Sequence, residues 1–275
     1  MQGLKKLLYK NAYTLLALDH RGSLINAFKK KKEANIEVAF YRFKKQVLQV
    51  LHKFFSGVLL DKEAGLKAWK EIKSKKPYLL PLEKTGYQEV RGERITKLEY
   101  SAFELKAAGA TAAKLLLYFN PDYPSRKLQL KIGKQVLEQC RKAGLPLFLE
   151  IVVYKRERGV IEDNLILSSL KAFLQERIYP QVFKLQPPEN FETAKKITDF
   201  LKPYGIDWIV LTQGVKFEVF QRRLKQAILA GCKGFLAGRS IWQEGIGLKG
   251  KELKVFLEKV AVPRFKKIVS IATKP

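Results

Sequence analysis

The sequence predicts an α/β protein built as one (β/α)8 TIM barrel, and three observations predict it. Short apolar runs alternate with longer amphipathic segments along the 275 residues, eight such runs can be counted, and no Gly-x-Gly-x-x-Gly turn follows the first. Alternation of this kind marks repeated βα units around a parallel sheet. The length lies near the roughly 250 residues of a barrel. Without the glycine fingerprint, the open doubly wound sheet ranks behind the barrel.

The eight runs are Tyr13–Leu18, Gly57–Leu60, Tyr78–Leu82, Ala113–Tyr118, Leu147–Tyr154, Val182–Leu185, Trp208–Leu211 and Gly234–Ala237. Between them, helical periodicity is clear over Ile36–Phe54, Ile95–Ala108, Leu128–Ala143, Phe217–Ala230 and Lys251–Val260. Gly109, Gly144 and Gly231 each stand where a helix must stop before the next run. Residues 1–11 are expected to form a short helix capping the barrel bottom, and the last few residues, Ser270 to Lys274, to fray. Pro187-Pro188 reads as a rigid turn out of the sixth strand. No Pro/Ser-rich linker divides the chain, so residues 1–275 are expected to be a single domain.

Apolar residues make up 47% of the chain, enough for a large core. The two cysteines, Cys140 and Cys232, form no Cys-x-x-Cys or Cys/His group, so they read as packed thiols, and no metal or other cofactor is expected. No window approaches the roughly 18 apolar residues of a membrane span, and the expectation is a soluble cytoplasmic protein for which a homo-oligomer is allowed. The formal charge of +27 attracts polyanions, including phosphorylated metabolites and nucleic acid. Clusters such as Lys29–Lys32 and Lys73-Ser74-Lys75-Lys76 lack the interleaved aromatics that stack on single strands, and read as solvated faces.

Three charged residues interrupt strands that should be apolar on both faces: Lys114 in the fourth, Glu150 in the fifth and Lys184 in the sixth. Strand alternation groups Lys184 with Val182 and Gln186, Lys114 with Leu116 and Tyr118, and Glu150 with Phe148 and Val152. All three therefore face the barrel axis. Neighbouring strands lie about 4.8 Å apart, so these charges can form one Lys/Glu/Lys cluster carrying one net positive charge. A lysine nucleophile needs the free amine, and desolvation beside a second ammonium favours it, as a Schiff-base lysine requires. The plainer alternatives are a buried Lys184–Glu150 ion pair and a Lys114 that reaches out of its strand end.

The first strand ends Leu18-Asp19-His20-Arg21-Gly22, bringing a carboxylate and an imidazole to the C-terminal face where barrels place their chemistry. Asp19 could orient an amine or a substrate hydroxyl, or simply cap a turn. His20 could line the site or belong to the loop, while His52, inside a helical pattern, is structural. After the third strand, Glu83 is a candidate for hydrogen bonds to sugar hydroxyls. Thr212-Gln213-Gly214 after strand seven and Ala237-Gly238-Arg239 after strand eight occupy the usual phosphate position of barrels, with Arg239 a fork-shaped donor for phosphate or sulfonate.

With Leu18-Asp19-His20-Arg21-Gly22, Glu83-Lys84-Thr85-Gly86-Tyr87, Lys114-Leu115-Leu116-Leu117-Tyr118, Phe148-Leu149-Glu150-Ile151, Phe183-Lys184-Leu185 and Gly238-Arg239-Ser240-Ile241-Trp242 in order, the chain resembles the tagatose 1,6-bisphosphate aldolase family, which also includes sulfofructosephosphate aldolases. The resemblance spans nearly the whole chain. It implies a (β/α)8 fold and metal-independent, class I aldol cleavage of a phosphorylated ketose through a lysine imine. By it, Lys184 matches the imine-forming lysine, Glu150 the carboxylate beside it and Lys114 the second active-site lysine. Asp19, Gly214, Gly238 and Arg239 match substrate-contacting positions. Three departures bear on the substrate: His20 stands where Gln is expected, Thr212-Gln213-Gly214 replaces Ser-Ala-Gly, and the loop after Lys184 is shortened to Gln186-Pro187-Pro188-Glu189. The other function classes considered are a non-covalent sugar-phosphate isomerase or decarboxylase, and a nucleic-acid-binding protein using the basic exterior.

Overall fold

The computed structural model describes residues 2–155 and 163–274. Among them, eight parallel strands close into a barrel: β1 (Ala12–Leu18), β2 (Gly57–Leu60), β3 (Tyr78–Pro81), β4 (Ala112–Phe119), β5 (Leu147–Val153), β6 (Val182–Leu185), β7 (Asp207–Leu211) and β8 (Gly234–Ala237). Each pairs with the next, and β8 pairs with β1. The apolar runs thus lie on the strands with ends moved by one residue or so.

Alternation divides the apolar side chains between two cores. Tyr13, Leu15, Leu59, Leu79, Ala112, Phe148, Val182, Ile209 and Leu236 fill the lower barrel together with Leu7. Outward residues such as Leu16, Val58, Leu115, Ile151, Phe183 and Val210 pack under the helices. The expected capping helix is confined to Gln2–Lys6. The chain then reverses through Lys10 and Asn11, both at positive φ, so that Leu8–Tyr9 pairs antiparallel with the start of β1.

Two helical expectations need correction. The helix expected over Ile95–Ala108 is confined to Ala102–Ala107: Ile95 ends a hairpin of Gln88–Val90 with Glu93–Ile95, and Leu98 forms a bridge to Glu83. Its start is set by a capping box in which Ser101 Oγ accepts from Glu104 N–H and the Glu104 carboxylate accepts from Ser101 N–H. The chain end is helical over Val262–Thr273 rather than frayed, since Phe265, Ile268 and Ala272 bury one face against the barrel wall.

Behind the C-terminal ends of β1 and β2 lies a fully buried ion pair that periodicity gave no means to find. Lys44, on the helix Ile36–Leu51, donates to Asp61, whose other oxygen accepts from Ala64 N–H and Gly65 N–H. A lysine on the inner face of an amphipathic helix breaks the pattern, and only the carboxylate after β2 makes its burial tolerable.

Closure of the barrel depends on Gly234. It lies opposite Tyr13 with φ of 134°, and a Cβ there would stand 2.1 Å from the Tyr13 carbonyl oxygen. Backbone cannot yield as a side-chain tip can. Gly234→Ala is expected to lower the free energy of unfolding by about 3 kcal/mol or more, measured by denaturant titration, and a loss below about 1 kcal/mol would show that the β8–β1 seam tolerates a side chain.

Candidate active site

The charged residues sit where the apolar plug ends. Glu150 and Lys184 are register partners on β5 and β6, both inward, with Lys184 Nζ 2.9 Å from Glu150 Oε2. Lys114 lies one step lower, opposite Phe148, and extends upward to reach the same Glu150 oxygen at 3.2 Å. From the ends of β1 and β3, Asp19 Oδ2 and Glu83 Oε1 approach Lys114 Nζ at 3.1 and 2.5 Å. Lys114, Glu83, Lys184 and Glu150 are exposed by only 3, 4, 5 and 7%.

The inferred trio is therefore assembled, but its charge count differs from expectation. With Asp19 and Glu83 included, carboxylates outnumber amines by three to two, because the ends of β1 and β3 lean over β4. Burial works against a charged Lys114, yet Asp19, Glu150 and Glu83 together raise its pKa well above the ordinary lysine value. Burial would likewise raise Asp19, but Lys114, His20 and Lys184 hold it well below the usual carboxylate range. Glu150 follows the same balance, with Lys114 and Lys184 outweighing its burial. For Glu83 burial wins over Lys114, and the repulsion of Asp19 and Glu150 adds to it, so its pKa is raised.

These groups form part of the floor of a cavity of about 670 Å³ at the C-terminal face, which also touches His20, Thr85, Tyr118, Gln213, Gly238 and Arg239. On its far wall the Arg239 guanidinium donates from Nη2 to the Gln213 carbonyl at 3.2 Å, and its buried Nε has no partner. Gly214, at φ of 76°, lets this guanidinium pack on the backbone, since a Cβ would stand 3.1 Å from Arg239 Cζ. Gln213 thus meets Arg239 through its carbonyl. Gly238 is equally tight, as a Cβ there would meet His20 Cε1 at 2.9 Å.

His20 stacks edge-on against Trp242, with ring centroids 5.1 Å apart, and its Nδ1 lies 3.7 Å from Asp19 Oδ1 without a hydrogen bond. Trp242 is in turn fixed by donating to the Ala17 carbonyl at 3.1 Å. Arg21 is committed within the protein, to Glu99 at 2.6 Å, Glu63 at 3.4 Å and the Glu83 carbonyl at 2.8 Å. His52 closes its helix by contacting the Gln49 carbonyl, and both cysteines are buried with thiol pKa values pushed up to about 12, mainly by burial. Lys29–Lys32, Lys73 and Lys75 are exposed. No described helix is long and apolar enough to cross a membrane.

A barrel whose C-terminal mouth holds two buried lysines on a shared carboxylate is the architecture of an aldol-cleaving enzyme. The DeoC/LacD family aldolase pattern matches residues 13–244. The tagatose 1,6-diphosphate aldolase of Lactococcus lactis subsp. lactis is 30% identical over 273 residues, covering 88% of this chain and 84% of its own. That of Listeria monocytogenes serotype 4a (strain HCC23) is 28% identical over 273 residues, covering 88% and 81%. Among solved structures, an archaeal fructose-1,6-bisphosphate aldolase with its catalytic Lys bound to the carbinolamine intermediate superposes with a TM-score of 0.66 at 14% identity, covering 99% of this chain and 100% of its own. The chain belongs to the DeoC/LacD family of aldolases, and it is an aldolase, a carbon–carbon lyase.

Burial lowers the His20 pKa to about 4, with Arg239, Lys184 and Lys44 adding to the effect and Asp19 opposing it. The unfolded chain, with His20 near 6.5, binds more protons between pH 4 and 6.5, so stability is lost as pH falls through that window. The loss attributable to His20 should approach about 3 kcal/mol. Urea titrations at pH 7, 5.5 and 4 should show His20→Gln flatter than the native chain by that amount, and parallel profiles would refute the assignment.

Proposed function

We propose that the protein cleaves a phosphorylated ketose by class I chemistry, with Lys184 as the amine that forms the imine. The observation that carries this reading is the Lys184 Nζ, buried on the barrel axis 2.9 Å from the Glu150 carboxylate, at the floor of a cavity whose far wall is Arg239. Sites for small ligands usually measure roughly 300–1,000 Å³, and a ketohexose bisphosphate fits a space of about 670 Å³.

In this reading Lys184 adds through its amine nitrogen to the C2 carbonyl to give a carbinolamine. Loss of water leaves an iminium, which takes up the electron pair of the C3–C4 bond as it breaks, while the C4 hydroxyl gives up its proton. The enamine is then protonated at C3 and hydrolysed. Glu150, within reach of the amine, carries protons at the carbinolamine and enamine stages. Asp19, held ionised, orients amine and hydroxyls. Lys114 supplies fixed positive charge for the carboxylates beside the reacting centre. Gly214, Gly238 and Arg239 receive the phosphate, and His20 and Gln213 lie along its approach.

The names of the relatives make tagatose 1,6-bisphosphate the substrate proposed here, giving dihydroxyacetone phosphate and a phosphorylated three-carbon aldehyde. Its C4 epimer, fructose 1,6-bisphosphate, and sulfofructose phosphate are the comparators. Such an enzyme acts in the cytoplasm on a soluble sugar phosphate, and the basic exterior then draws anionic substrate rather than nucleic acid.

Borohydride reduction with dihydroxyacetone phosphate should add the mass of the reduced adduct at Lys184, and Lys184→Met should lose adduct and turnover while keeping its melting temperature. Turnover by a wild-type enzyme that traps nothing would exclude the imine. Arg239→Ala should raise KM for phosphorylated ketoses about 10- to 100-fold, as expected for a lost charge-assisted bond. An unchanged KM would remove Arg239 from the phosphate site.

A further inference from the structure

Glu83 was expected to meet sugar hydroxyls, yet both its carboxylate oxygens are engaged inside the protein. Oε1 accepts from Lys114 Nζ at 2.5 Å and Oε2 accepts from Leu116 N–H at 3.1 Å. The backbone around it is equally fixed. The Glu83 carbonyl accepts from Arg21 Nη2 at 2.8 Å, Leu82 N–H donates to the Lys114 carbonyl at 2.9 Å, and Lys84 N–H donates to the Lys97 carbonyl at 2.8 Å. A bridge between Glu83 and Leu98 secures the other side.

Register explains this placement. β3 ends at Pro81, opposite Lys114 on β4, so the N–H of Leu116 two residues further on has no strand acceptor. A buried N–H needs a partner, and the Glu83 carboxylate supplies it. The same side chain thereby arrives at Lys114 Nζ. An ammonium has three N–H groups; Lys114 donates to Glu83 at 2.5 Å and to Asp19 at 3.1 Å, and Glu150 Oε2 stands beside it as an ion-pair partner at 3.2 Å.

We propose that Glu83 is a positioning residue for aldol cleavage, clamping the Lys114 ammonium so that the Glu150 carboxylate is held on the Lys184 amine. Glu150 Oε2 is shared by both amines, 3.2 Å from Lys114 and 2.9 Å from Lys184. Without the clamp on its β3 side, Lys114 swings toward Asp19 and Glu150, and competes with Lys184 for that oxygen. This inference rests on Lys184 being the imine-forming amine. Glu83 has the raised pKa among the three carboxyls, whereas Asp19 and Glu150 are lowered, so it takes up the first proton as pH falls. Its protonation then weakens the clamp before the other two are reached.

The test is Glu83→Gln, which keeps the shape and removes the charge. The expected result is a kcat about 10- to 100-fold lower, as for a reacting group displaced by an ångström or less, with KM within about threefold. Borohydride should still trap the adduct at Lys184, and the acid limb of the kcat profile should move to lower pH, because the carboxyl that protonated first is gone. Glu83→Asp, one methylene short but charged, should lose kcat similarly while keeping the acid limb, and it supplies the KM and kcat comparison if the glutamine variant fails to fold. A raised KM with near-native kcat would make Glu83 a sugar ligand. Native kcat and an unmoved acid limb, with only a lower melting temperature, would make it structural. Either outcome overturns the proposal. Failure of the imine reading is visible separately, as absence of an adduct in the wild-type enzyme.

Discussion

Carboxylates from the ends of β1 and β3 and from the middle of β5 converge on the single ammonium group of Lys114, which rises from β4. Each of these charges would cost several kcal/mol to bury alone, and three carboxylates without a counter-ion would repel one another apart. The ammonium makes the arrangement tolerable because it donates to Glu83 and Asp19 and lies 3.2 Å from Glu150. Everything chemically useful follows from that convergence. Asp19 and Glu150 are held ionised, and Glu150 is left with the oxygen that also reaches Lys184.

The barrel separates this polar layer from the apolar one below it. Tyr13, Leu15, Phe148, Val182 and Ile209 fill the lower interior, so the floor of the cavity rests on a packed apolar layer. Strands, rather than loops, carry Lys114, Glu150 and Lys184, and strands hold a geometry to the fraction of an ångström that chemistry requires. The opposite wall is built on turns, where Gly214 and Gly238 let backbone, Arg239 and His20 approach closely. The buried charges thus stand on strands and the Arg239 wall on turns, at the end of the barrel where such folds place their sites.

Much of this was legible in the chain itself. Lys114, Glu150 and Lys184 interrupt otherwise apolar strands, and the period of two fixes which way each points, so three of the five charges could be placed together from spacing alone. The positions of Gly214, Gly238 and Arg239 after the last two strands put them together at the same end of the barrel in the same way. Glu83 and Asp19 were recognised as rim residues but not as partners of Lys114, because a strand end gives no alternation from which to read direction. The helix Ala102–Ala107 was begun too early, at Ile95, by an apolar spacing that mimics a helix, although the Ser-x-x-Glu box at Ser101 marked its true start.

By itself the sequence determined the fold class, the inward face of every long strand and the identity of the charged residues on it, because those depend on local periodicity. Only the tertiary structure decided the balance of three carboxylates against two amines, the burial of the Lys44–Asp61 pair and the engagement of the Glu83 carboxylate by Lys114 and the Leu116 N–H. Those depend on strand register and on the lean of strand ends across the barrel mouth, distances between residues far apart in the chain that no local pattern encodes.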